Sequence, residues 1–236
     1  MKRAWVFVAA AVLAAPLSAS AGDLTLRVGA FFPSVNSNLF ADDSELYSRV
    51  GSGDALPPGL KKSDWIGVSG GLAYFSKISP NVQLGVSVDG YGRQLDTSYR
   101  KETHSDGSEI QQTLRVRMIP VGLSLRIAPT SRRARLAPYV EVGADAISYK
   151  YEEFGDFIDF LDDTHPIIAD SFVSTGFGFG YHVAAGLKVP ITPDFSIVGE
   201  GRYQHAKDKM GEDFRPGNFE IDLSGWTATV GFNVRF

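Results

Sequence analysis

The sequence predicts an all-β protein, an eight-stranded antiparallel up-and-down β-barrel that crosses a membrane. Three observations carry this reading. Apolar and polar residues alternate with period two through eight segments, and that period puts successive side chains on opposite faces of a strand. The connections between these segments run long, short, long, short, long, short, long. Beyond the N-terminus no apolar run reaches the ~20 residues that a membrane helix needs, so a chain that enters a bilayer here does so as a closed barrel.

Met1 to Ala21 reads as a cleaved signal peptide. Lys2 and Arg3 form the positive n-region, Ala4 to Ala15 the apolar h-region, and Ala19-Ser20-Ala21 the small-residue cleavage site. The chain of 236 residues has no cysteine, which excludes a lipoprotein anchor, a disulfide and thiol chemistry. Residues 22–236 are expected to form a single barrel domain. Losing two basic residues takes the formal net charge from -4 to -6, and an acidic chain gives no support for nucleic-acid binding.

The first strand is expected over Asp23 to Phe32, with Leu24, Leu26, Val28, Ala30 and Phe32 on one face and Thr25, Arg27, Gly29 and Phe31 on the other. Pro33 to Asp64, rich in Ser, Asn, Asp, Gly and Pro, reads as loop. Trp65 to Ser76 forms the second strand, and Ile78 to Asn81 a tight turn. The third runs from Val82 to about Tyr99, its polar face carrying Gln83, Ser87, Asp89 and Arg93. A polar loop follows with Asp106-Gly107, a hairpin signal. In the fourth, Gln112 to Ile127, the apolar parity changes between Leu114-Val116-Met118 and Ile119-Val121-Leu123, and a β-bulge near Met118–Pro120 is the expected cause.

A basic connection, Ala128 to Arg135, leads to a fifth strand over Leu136 to about Tyr151, with Glu141 and Asp145 facing in. Glu152 to Gly176 reads as a long acidic loop. The sixth strand, Phe177 to Ile191, turns His182 and Lys188 inward. The seventh, Phe195 to about His205, does the same with Glu200, Arg202 and Gln204. After a loop over Ala206 to Phe219, the eighth strand, Glu220 to Phe236, places Trp226, Ala228, Val230, Phe232, Val234 and Phe236 on one face. Short turns on one side and long loops on the other are the arrangement of a bacterial transmembrane barrel.

The A-x-A export site, the strand opening at Pro138-Tyr139-Val140, the Ile119-Pro-Val-Gly-Leu-Ser-Leu-Arg126 strand and the terminal Val234-Arg235-Phe236 resemble the small OmpA/OmpX/OmpW-type outer-membrane proteins. The resemblance covers the whole mature chain. It implies residence in the outer membrane among its lipids and lipopolysaccharide, and delivery by the barrel-assembly machinery through the C-terminal strand. It also implies a structural role or passage of small apolar compounds, with no cofactor.

The candidate site is the inward face. Arg27, Asp89, Glu141, Asp145, His182, Glu200 and Arg202 are expected to form an ion-pair network that plugs the lumen, joined on that face by Arg93, Arg126, Lys188 and Arg235. An eight-stranded barrel is only wide enough for side chains to fill, and a buried charge needs a partner. Catalysis is not expected. Lipid A deacylases of this size place Ser close after His, whereas His182 is followed by Val-Ala-Ala-Gly, although a triad assembled from distant residues stays open. The alternatives are a lipid-modifying outer-membrane enzyme and an exported soluble ligand-binding barrel.

The acidic segment (Glu152, Glu153, Asp156, Asp159, Asp162, Asp163 and Asp170, with His165) lacks calcium-loop spacing and reads as a solvated face. Within it, Phe154, Phe157, Ile158 and Leu161 have helical spacing. The Gly176-Phe-Gly-Phe-Gly180 run enters a strand and lacks Lys, so it is not a phosphate cradle. Trp65, Trp226 and seven tyrosines (74, 91, 99, 139, 149, 151 and 203) are expected to form girdles at the two interfaces.

Overall fold

A computed structural model describes residues 22–51, 57–128, 135–159 and 162–236; the segment expected to be a signal peptide, most of the basic connection and Leu161 fall outside them. In chain order, β1 (Gly22–Pro33) leads into α1 (Asn38–Leu46) and the short β2 (Tyr47–Arg49). A 3-10 turn over Lys62–Trp65 precedes β3 (Gly67–Lys77), β4 (Val82–Thr103) and β5 (Glu109–Ile127). Then come β6 (Ala137–Ile158), β7 (Ile167–Pro190) and β8 (Phe195–Lys209). A second 3-10 turn, Glu212–Phe214, and β9 (Glu220–Asp222) lead to β10 (Gly225–Arg235). Eight of these strands close an antiparallel ring in the order β1-β3-β4-β5-β6-β7-β8-β10, while β2 pairs with β4 and β9 with β8.

The seam is the pairing of β10 with β1, continuous from Asp23 opposite Arg235 to Pro33 opposite Gly225. It ends in reciprocal backbone bonds between Gly22 and Phe236, at 2.9 and 3.1 Å. Closure leaves neither strand an open edge, as lipid requires. Phe236 faces outward at 56% exposure, and its ring stacks on Tyr74. Leu26, Val28, Val68, Leu123, Val142, Val183 and Val230 belong to the same outward apolar belt.

The interior has two storeys. Between the short turns and mid-height it is polar: Arg27, Gln83, Ser87, Ser124, Arg126, Glu141 and His182 are all buried. Above that it becomes apolar, with Leu95, Leu114, Val116, Met118, Ile147 and Tyr151 in one cluster with Phe40 and Trp65. On β5 every even-numbered residue from Ile110 to Arg126 is buried, so the strand never changes parity. The bulge expected near Met118–Pro120 is therefore absent. Val88 faces Val121 and Tyr91 faces Met118, with no residue inserted between, and the β5–β6 register runs unbroken from Gln112 to Ile127. What changes at Met118-Ile119 is the surrounding medium. Below, the outward face meets lipid and is apolar. Above, it carries Arg115 and Arg117, and the apolar residues turn inward.

The same inversion corrects the loop boundaries. Glu152 to Gly176 is mostly a hairpin of extended β6 and β7, so Glu152, Glu153, Asp156 and Asp170 are strand residues. Phe154, Phe157 and Ile158 lie on β6, not on helical turns. Conversely, the loop expected over Pro33–Asp64 contains α1 and β2. The eighth strand is split, β9 pairing above the ring and β10 within it. The aromatic girdle is also smaller than expected: Trp65, Tyr91, Tyr99, Tyr139, Tyr149 and Tyr151 are buried in the interior, while Trp226 is exposed on the outer wall.

Candidate functional site

The lower interior is built by residues spaced two apart on strands whose outward partners are apolar. Arg27 comes from β1, Asp89 from β4, Arg126 from β5, Glu141 and Asp145 from β6, His182 from β7, and Glu200 and Arg202 from β8. Their side chains form a closed circuit. Arg27 grips Asp89 with two contacts, 2.5 and 2.9 Å, and donates to Glu200 at 2.6 Å. Asp89 also accepts from Arg202 at 3.2 Å, and Arg202 donates to Asp145 at 2.6 Å. The Asp145 carboxylate lies 2.8 Å from His182 Nδ1, and the Glu141 carboxylate 3.3 Å from His182 Nε2. Arg126 donates to Glu141 at 2.9 Å and lies 3.5 Å from Glu200, which returns the circuit to Arg27.

Around this ring, basic and acidic groups alternate, and each carboxylate touches two basic groups. Such reciprocal pairing offsets the desolvation of charges taken out of water. The guanidinium of Arg126 is sandwiched between the rings of Phe75 and Tyr139, 3.5 and 4.1 Å from their centroids. Tyr139 donates to Glu200 at 2.7 Å. Beside the circuit remains a cavity of about 20 Å³, room for roughly one water molecule. All seven residues singled out in the sequence lie on this circuit. Arg126, placed on the inward face but outside those seven, is the link that closes it. Lys188 and Arg235 instead pair with Asp23 at the short-turn end, at 2.9 and 3.2 Å, and Arg93 donates to the Asp64 carbonyl.

Within the circuit, Ser124 Oγ lies 3.0 Å from His182 Nε2 while Asp145 holds Nδ1. This is the connectivity of a Ser-His-Asp triad built from three strands. Its surroundings are not those of a nucleophile. Ser124 and His182 are each 1% exposed, and Glu141 competes for the nitrogen that would take the serine proton. Among the described residues no group of His, Asp and Glu is arranged to hold a metal ion.

A second cluster lies under α1, above the apolar belt. Asp43 of α1 accepts from the Tyr151 hydroxyl at 2.8 Å and is buried beside Glu153, Tyr47 and Tyr99. Glu153 stands six residues past Ile147, where β6 leaves the belt. Burial pushes its carboxyl up to about 7, and burial together with the charge of Glu153 pushes Asp43 well above the usual carboxylate range. Neither α1 nor this pair was legible in the sequence, where Asp43 falls in an assumed loop.

An antiparallel ring of eight strands with an apolar outer belt and a charged lumen defines a transmembrane β-barrel. The chain belongs to the family described as outer membrane protein beta-barrel domain, which matches residues 7–236, and that membership places it in the outer membrane, among its lipids. Neisserial surface protein A has a similar structure, with a TM-score of 0.52 at 12% identity over 92% of this chain and 97% of that one. A major outer membrane protein from Thermus thermophilus gives 0.48 at 11% identity, covering 91% and 99% of the two chains. Outer membrane protein W from E. coli gives 0.39 at 15%, covering 92% and 100%. The first of these likenesses shows a shared fold. No curated protein sequence matches the chain.

Proposed function

We propose that this protein is a closed, non-conducting outer-membrane barrel whose role is structural, with the lumen plugged by the ion-pair circuit. The observation that carries the reading is the circuit itself, in which each carboxylate is shared between two basic groups. Buried pairs of this kind resist opening, because separating one leaves an uncompensated charge. In planar bilayers the purified protein should give no steady conductance; a sizeable open-channel current would overturn the plug. Passage of small apolar compounds is the second reading, favoured by the apolar upper storey. It requires α1 to leave the mouth, since Leu39 and Phe40 fill that storey.

The protein acts without catalysis in this reading. The burial of Ser124 and the double carboxylate contact of His182 support a structural use of the triad-like contact, and lipid A recovered from an overexpressing strain should keep its mass. The first 21 residues serve as a cleaved leader, the remainder forms one domain, and β10 with its terminal Phe236 is the segment offered to the assembly machinery. N-terminal sequencing of the mature protein should begin at Gly22.

A further inference from the structure

The outer wall of β5 and β6 carries two cations at one height, beside Thr175 of β7. On β5 the outward residues are Ile127, Leu125, Leu123, Val121 and Ile119, followed by Arg117 and Arg115. Arg117 stands ten residues from the short-turn end of β5. At about 3.3 Å per residue and a tilt of about 40°, this is roughly 25 Å above that end, the height of a barrel's apolar belt. Arg117 therefore lies at the upper, outer-leaflet boundary.

Register places Arg117 directly opposite Lys150, and Lys150 opposite Thr175. Like charges facing each other across adjacent strands are destabilising unless an anion lies between them. Arg115, one row higher, pairs with Glu152 at 3.7 Å, and Lys150 also reaches Glu152, at 2.5 Å. One carboxylate thus contacts two cations directly and acts on Arg117 only through space; Arg117 makes no direct salt bridge among the described residues. The carboxylates of Glu212 and Asp213 accept from the backbone amides of Thr175 and Val173, bounding the patch on its β7 side. Between Arg117, Lys150 and Thr175 opens a groove of about 480 Å³, floored by Ile119, Ser148 and Phe177. Directly below, Phe179 is 77% exposed and Tyr181 54% exposed to the belt.

We propose that this groove binds the phosphorylated headgroup of an outer-leaflet glycolipid, with Arg117 and Lys150 gripping one phosphate and the acyl chains lying over Ile119, Phe177 and Phe179. The reading rests on membership of an outer-membrane family, not on the plugged lumen. Charge complementarity selects a phosphate, since a guanidinium and an ammonium side by side form charge-assisted hydrogen bonds to its oxygens. Position selects a lipid, because the cations stand at the upper edge of the outward apolar belt, where headgroups lie.

The test uses the full mature chain refolded in zwitterionic detergent, with diphosphorylated lipid A as the probe. Native mass spectrometry should show retained lipid on the wild type, and the temperature at which its gel mobility changes should rise by a few degrees. In the Arg117→Thr, Lys150→Thr double variant, retention should fall by about tenfold or more, as expected for losing charge-assisted contacts. Without lipid, that variant should be at least as heat-resistant as the wild type, because the facing cations are gone. Retention by the double variant equal to the wild type overturns the proposal. So does equal retention of lipid A stripped of its phosphates, or the same stabilisation from inorganic phosphate alone. Should the double variant fail to fold, Arg117→Gln and Lys150→Gln made singly take its place, each with weakened retention expected.

Discussion

Raising the pH should loosen α1 from the mouth of the barrel. Asp43 and Glu153 are buried under it with Tyr47, Tyr99 and Tyr151, and the other acidic group facing them is Asp42; among the described residues this pair makes no contact with a cation. A carboxyl moved from 4.5 to about 7 holds its proton more tightly when α1 is docked than when it is free. The stabilisation from that proton is complete below about 4.5, falls as pH rises, and is gone above about 7. Over that window the docked state loses roughly 3 kcal/mol from Glu153, with a further loss in the same direction from Asp43. Amide exchange at residues 38–46, corrected for the intrinsic rate and followed from about pH 5 to about pH 9, reads this directly. Protection should decline through neutrality in the wild type, more weakly in Glu153→Gln, and not at all in Asp43→Asn, Glu153→Gln. Protection that stays flat or rises with pH in the wild type would refute the reasoning, because it would mean that the pair is already ionised under α1.

Replacing Arg126 with Met should destabilise the barrel by about 3–5 kcal/mol, read from urea unfolding in lipid vesicles, since Glu141 and Glu200 lose a shared guanidinium. Adding Glu141→Gln should restore part of that loss. Gly143→Ala should unfold more readily than the wild type, because a Cβ there would overlap the Leu123 carbonyl oxygen and the His182 ring. Gly199→Ala, with nothing within 4 Å of the new atom, should be tolerated in the same assay. Val142→Arg on the lipid face should cost about 2–4 kcal/mol, whereas Ser148→Arg at the upper boundary should cost about 0–1 kcal/mol; equal losses would mean that the belt edge is misplaced.

The strand count, the inward parity and the seven circuit residues were legible because lipid imposes a simple rule on the lower storey, apolar out and polar in. Leu24-Thr25-Leu26-Arg27 states that rule in four residues, and β1 follows it. Arg126 was readable as inward but not as the closing link. Which charges meet across a lumen depends on strand stagger and side-chain reach, and neither is written in the local pattern. The upper storey failed for a different reason. Once β4–β7 rise out of the bilayer, water is outside and packed side chains are inside, so the apolar parity swaps while the strand continues. Read with the lower rule, this looks like a bulge on β5 and like loop on β6 and β7. α1 was hidden because its apolar stripe is short and its buried Asp43 looks like a loop residue.

The swap nevertheless leaves a local mark. Two apolar residues stand side by side where the parity changes, Met118-Ile119 on β5 and Ala146-Ile147 on β6, and register brings these two sites within two residues of each other. A true bulge would displace the pairing on one strand only. Two neighbouring strands that swap together, with no residue inserted between them, therefore mark a change of solvent. That boundary is the outer edge of the bilayer, and the first charged outward residues beyond it on these two strands are Arg117 and Lys150. The misread feature of the sequence is thus the one that locates the proposed lipid site.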